Sequence, residues 1–136
     1  MFENDNPEDR EKLVEELIRH DLNAFEWNSG GGIYHVIVPL INPYDDSISI
    51  HAQDKNLVEE MQANIANWPD DTYLFIATNS LQSDCEIGLM GQSGKNGNPV
   101  SSPDWKFINY LDEAVKEFQS IWEDRDEWIG KLLLEK

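Results

Sequence analysis

Ile33-Tyr34-His35-Val36-Ile37-Val38-Pro39-Leu40-Ile41 is the stretch on which the fold turns. It is rich in β-branched residues. Its parity puts Tyr34, Val36, Val38 and Leu40 on one face and His35, Ile37 and Pro39 on the other. Asn42-Pro43-Tyr44-Asp45 has turn chemistry, and Ser47-Ile48-Ser49-Ile50-His51 alternates polar with apolar. Together they predict a hairpin. Pairing Ile37 with Ser49 sets His35 opposite His51 and gathers Val36, Val38, Ile48 and Ile50 on one apolar face, as a sheet packed on helices requires. Pro39 cannot donate a ladder hydrogen bond, so its strand lies at an edge or is interrupted there.

Outward from this hairpin, residues 73–78 read as the most buried strand and 85–90 as a fourth. Cys85, Ile87 and Leu89 share one face of that fourth strand, which makes the thiol a small core residue. On the N-terminal side, Asn6-Pro7-Glu8-Asp9 is a helix start. Asn6 caps free amides, Pro7 suits the first helical position, and two carboxylates face the positive end of the dipole. Leu13, Val14, Leu17, Ile18, Ala24 and Phe25 recur at helical spacing, which predicts a helix to about Trp27, stopped by Gly30-Gly31-Gly32. A second helix is expected over 55–68, capped by Asp54.

Ser102-Pro103-Asp104 opens a third helical pattern that runs almost to the end of the chain. Unbroken, it would measure about 50 Å, so a break is expected near 109–111, with Asp112 as the new cap and Gly130 as a second place for it. Residues 91–102, rich in Gly, Ser and Asn, are expected to form a mobile loop or, through Asn96-Gly97, a long hairpin. The expected architecture is α+β in the order α-ββ-α-ββ-α, a four-stranded, mainly antiparallel sheet packed against helices in one domain over 1–136.

Charge narrows the function classes. With 27 acidic against 10 basic side chains among 136 residues, the formal net charge is −17. Such a surface repels phosphate backbones and anionic lipid and favours basic proteins, so neither direct nucleic-acid binding nor a membrane partner is expected. A single cysteine excludes a disulfide framework and fits a reducing compartment. Met1-Phe2-Glu3-Asn4-Asp5 lacks the basic end and apolar run of a secretory signal, so the cytoplasm is expected.

Four constellations carry candidate chemistry. Gly94-Lys95 resembles a phosphate loop, but Leu89 stands where the first glycine belongs and Asn96 where the hydroxyl does. His35 and His51, with Asp45, Asp46 or a neighbouring carboxylate, offer a candidate metal site. Cys85 has no neighbouring histidine to activate it, and the many carboxylate pairs read as solvated caps and turns. The run Glu123-Asp124-Arg125-Asp126-Glu127 between Trp122 and Trp128 is the densest place for a cationic partner to dock.

The leading expectation is a protein without catalytic residues or cofactor, an inhibitor- or immunity-like module that binds a basic protein. Its docking residues are Glu123, Asp124, Asp126, Glu127 and Trp128, with Glu15 and Glu16 as a second patch. A small metal- or ligand-binding protein built on His35 and His51 is the alternative. A homodimer through Leu132-Leu133-Leu134 is a third reading.

Overall fold

A computed structural model of the chain describes residues 1–30, 32–40, 73–81, 84–93, 98–101 and 104–129. Helix α1 spans Pro7–Arg19. It begins as its sequence dictates, with the Asn6 side chain accepting from the Glu8 amide at 3.0 Å and Pro7 opening the first turn. Leu13 and Leu17 bury its inner face, with Val14 packed beside them.

The helix stops well short of Trp27. His20 is the C-cap, and Asp21 takes the left-handed conformation at φ 64°. The Leu22 amide then donates to the Leu17 carbonyl at 2.9 Å and the Asp21 amide to the Ile18 carbonyl at 3.0 Å. This Schellman turn satisfies the last carbonyls without a glycine, and Leu22 and Leu17 share the same core. Ala24 and Phe25, expected on the helix, therefore lie beyond it. Phe25 opens strand β1 (Phe25–Gly30), and Gly32, at φ 83°, helps turn the chain into β2 (Ile33–Pro39) instead of ending a helix.

Strand β2 lies between β1 and β3 (Tyr73–Leu81). Ile37 has Phe25 across one ladder and Ala77 across the other. That leaves no edge for Ser49, so the expected hairpin register between 33–41 and 47–51 is corrected. Residues 47–51, and the helix expected over 55–68, lie outside the described residues. Pro39 ends β2, the second of the two roles its missing N–H allows.

Strand β3 pairs with β4 (Asp84–Ser93) in an unbroken register from Tyr73↔Gln92 to Leu81↔Asp84. The far edge of β4 is shared by two strands. Gly91 and its neighbours pair with β5 (Asn98–Ser101), while Cys85, Glu86 and Ile87 pair with β6 (Lys106–Ile108). Residues 91–93 and 98–101, expected within a mobile loop, are thus the arms of the long-hairpin reading. Every described ladder is antiparallel, and the class is α+β with six strands where four were expected.

The expected helix start at 103 is corrected as well, because Lys106–Ile108 is strand, with Ile108 buried and Phe107 exposed. Helix α2 begins at Leu111, so the expected break at 109–111 is the true helix start; Tyr110, in extended conformation, occupies the cap position without a side-chain bond. It runs to Glu123 and buries Ala114, Val115, Phe118 and Ile121. A short helix α3 follows over Arg125–Ile129.

The sheet is buried on both faces. Val36, Val38, Leu40, Leu74, Ile76, Cys85, Ile87 and Leu89 pack with α1 and α2 in the main core, and Phe2 joins them from the N-terminal segment. The opposite face carries Phe25, Ile37, Phe75 and Ala77, with Trp27, Met90 and Trp105 against them.

Candidate functional site

The acidic end of the helical layer is built by the break at Asp124. As C-cap of α2, Asp124 donates its amide to the Ile121 and Ser120 carbonyls at 3.1 and 3.3 Å, and its own carbonyl accepts from the Trp128 amide at 3.2 Å. Two short hydrogen-bonded turns are thereby fixed back to back. Trp122 and Trp128 both remain half-buried against the main core, because the break re-aims the second of them. An unbroken helix would set them about 120° apart around the axis.

Around these two rings Glu123, Asp124, Asp126 and Glu127 are all exposed. Arg125 is turned inward. Its guanidinium carbon lies 4.3 Å from the Trp122 ring centroid, and Nη1 donates to the Trp122 carbonyl at 2.8 Å. The lone cation of the run is thus held on an aromatic face, while the four acidic residues around it are exposed.

The second expected patch differs in character. Glu15 is exposed on α1, but Glu16 is half-buried and paired with Arg19 at 2.8 Å. Glu16 and His20 line one side of an open groove of about 260 Å³ whose other wall is Asp112, Val115 and Lys116 of α2. Its lining combines the carboxylates of Glu16 and Asp112 with the ammonium of Lys116 and the apolar Leu111 and Val115.

His35 is only 3 % exposed and faces Trp27 across the ladder, ring centroids 5.6 Å apart. Its Nδ1 lies 2.7 Å from the Thr78 carbonyl oxygen. Burial lowers its pKa, opposed by that hydrogen bond, so the neutral ring with Nδ1–H donating is favoured. His51, its expected metal partner, lies outside the described residues, and among those described no three His, Cys, Asp or Glu side chains gather as a metal cluster. The Cys85 thiol is buried, and burial, with help from the Glu86 and Asp5 charges, pushes its pKa up to about 12. A thiol that stays protonated is a poor nucleophile.

A buried polar junction escapes the sequence reading altogether. Asn4 Nδ2 donates to the Tyr34 carbonyl and to Ser80 Oγ, both at 3.0 Å, and Asn4 Oδ1 accepts from Thr78 Oγ1 at 2.6 Å. Arg10, almost fully buried, reaches the Asn4 carbonyl at 2.7 Å, pairs with Glu26 and lies over the Tyr34 ring. A lone asparagine ahead of a helix has no period or spacing that marks it. The only hint in the sequence is Arg10, a cation on the same helix face as Leu13 and Leu17.

No protein-family model, curated protein or solved structure matches the chain. Among the described residues no helix is long and apolar enough to cross a membrane.

Proposed function

We propose that the chain is a protein-binding module whose acidic helical end engages a basic protein partner, in the manner of an inhibitor or immunity protein that masks a cationic site. One observation carries this reading. Four exposed carboxylates, Glu123, Asp124, Asp126 and Glu127, surround two tryptophans anchored in the core. Anchored aromatic rings lose little conformational freedom on binding and supply desolvation energy, while the surrounding charge steers encounter and fixes orientation. The net charge of −17 adds long-range attraction for a cation-rich surface.

The test is kinetic. Partners captured at low salt and released at high salt are identified, and their association rates measured with the wild-type chain and with a variant carrying lysine at positions 123, 124, 126 and 127. The variant is expected to associate more slowly and with a flatter salt dependence while its circular dichroism is unchanged. Unaltered association after all four reversals rejects this surface.

A further inference from the structure

Two hairpins of the sheet, β1–β2 and β3–β4, meet along the β2–β3 seam. The β1–β2 ladder continues to Gly30↔Ile33 and the β3–β4 ladder to Leu81↔Asp84, yet on that side the seam between β2 and β3, which among the described residues pairs Ile37↔Ala77, Val38↔Ile76 and Pro39↔Phe75, stops at Ile37↔Ala77. Toward the turns the two hairpins are no longer ladder-paired, and side chains take over. On the helix-covered side, a directional relay runs from the Val36 amide to Thr78 Oγ1 at 2.8 Å and on to Asn4 Oδ1. A second runs from Asn4 Nδ2 to Ser80 Oγ and on to Asp5 Oδ1 at 2.9 Å. With its other hydrogen bond to the Tyr34 carbonyl, the Asn4 carboxamide touches both hairpins at once.

We propose that the segment from Phe2 to Asp5 is a clasp that holds the fork between the two hairpins closed, and that this fork opens as a local unit when the clasp lifts. The clasp is fastened along its length: Phe2 lies in the core with its amide on the Asn109 carbonyl at 2.8 Å, the Glu3 amide donates to Asp9 Oδ2 at 2.9 Å, Asn4 sits in the fork with its carbonyl on Arg10, and Asp5 accepts from Ser80. Asn4 is the clasp residue that touches both hairpins, beside the direct bond between His35 Nδ1 and the Thr78 carbonyl. Removing its carboxamide strips a partner from the buried Thr78 hydroxyl and from the partly buried Tyr34 carbonyl and Ser80 hydroxyl, and leaves the seam itself untouched. In the fork, β2 and β3 are linked by side-chain bonds, His35 Nδ1 to the Thr78 carbonyl at 2.7 Å and the Val36 amide to Thr78 Oγ1, with Asn4 braced against them from outside the sheet, and it therefore has a lower opening energy than the ladder-paired seam.

Native-state hydrogen exchange of the full chain decides the matter, because two amides report the two regions separately. Val36 donates to Thr78 Oγ1 inside the fork, and Leu40 donates to the Leu74 carbonyl at 2.9 Å beyond the seam. Asn4→Ala is expected to speed exchange at Val36 by about tenfold or more while Leu40 keeps its protection. If Asn4→Ala does not fold, Ser80→Ala gives the same contrast with a smaller factor, about threefold. Equal acceleration at both amides, or acceleration at neither, overturns the clasp and makes Asn4 an ordinary part of the global folding unit.

Discussion

Arg10 Nε donates to Glu26 Oε1 at 2.6 Å, tying the inner face of α1 to strand β1. The guanidinium is nearly enclosed, with the Asn4 carbonyl on Nη1 and the Tyr34 ring centroid 4.5 Å away, while Glu26 keeps access to water. Breaking this pair from the carboxylate side leaves a buried cation short of its counter-charge. Glu26→Ala is expected to cost about 1–3 kcal/mol in urea unfolding. The double variant Arg10→Met with Glu26→Leu is expected to cost less than the sum of its two single changes, the signature of coupled partners.

Asp21 stores backbone strain where α1 ends. At φ 64° an L-residue crowds its own Cβ, and glycine does not. Asp21→Gly is expected to raise stability by about 1 kcal/mol, and Asp21→Val, whose branched side chain tolerates this region least, to lower it by at least as much. Paired thermal melts measure both.

Acid weakens the fold through His35. Its folded-state pKa is lowered from the ordinary 6.5, chiefly by burial, so below about pH 6.5 the unfolded chain takes up a proton that the folded chain resists. The contribution is fully present above that pH and is lost as pH falls toward the folded-state value. The stability gap between wild type and His35→Gln is expected to close on acidification from pH ~7.5, by at most about 1.4 kcal/mol per pH unit. Subtracting the variant removes the carboxylate titrations common to both chains.

The thiol of Cys85 should be silent in the native protein. With a pKa pushed up to about 12 and no exposed surface, it is expected to react with an aromatic disulfide reagent at pH ~8 only as fast as the protein opens. Adding urea below the unfolding midpoint is expected to accelerate labelling in step with the open population. Rapid stoichiometric labelling without denaturant would contradict the packing of Cys85 beside Ile87 and Leu89.

Strands were legible where alternation was long enough to count. Val36, Val38 and Leu40 share a core that Ile37 does not, and Cys85 lies with Ile87 and Leu89, as parity requires. The end of α1 was illegible because Leu22 and Phe25 continue the apolar spacing of Leu17 and Ile18, and an aspartate does the stopping that glycine usually does. The sign of β1 in the sequence is Phe25 and Trp27 alternating with Glu26. Lys106–Ile108 is too short to display any period, and Phe107 falls in step with the apolar spacing of the helix behind it. Of the acidic site, the exposed carboxylates were readable from charge density, whereas the inward turn of Arg125 onto Trp122 depends on the break at Asp124, which no spacing announces.

The seam between β2 and β3 also bears on the order in which the chain assembles. Each hairpin closes over a handful of residues, but joining them brings Pro39 to Phe75 across a far longer span, with a correspondingly larger loss of chain entropy before any contact rewards it. Hairpin formation should therefore precede docking on the route to the barrier. Substitutions at Asn4 or Thr78 would then leave the refolding arm of a chevron nearly unchanged and steepen escape from the native basin instead.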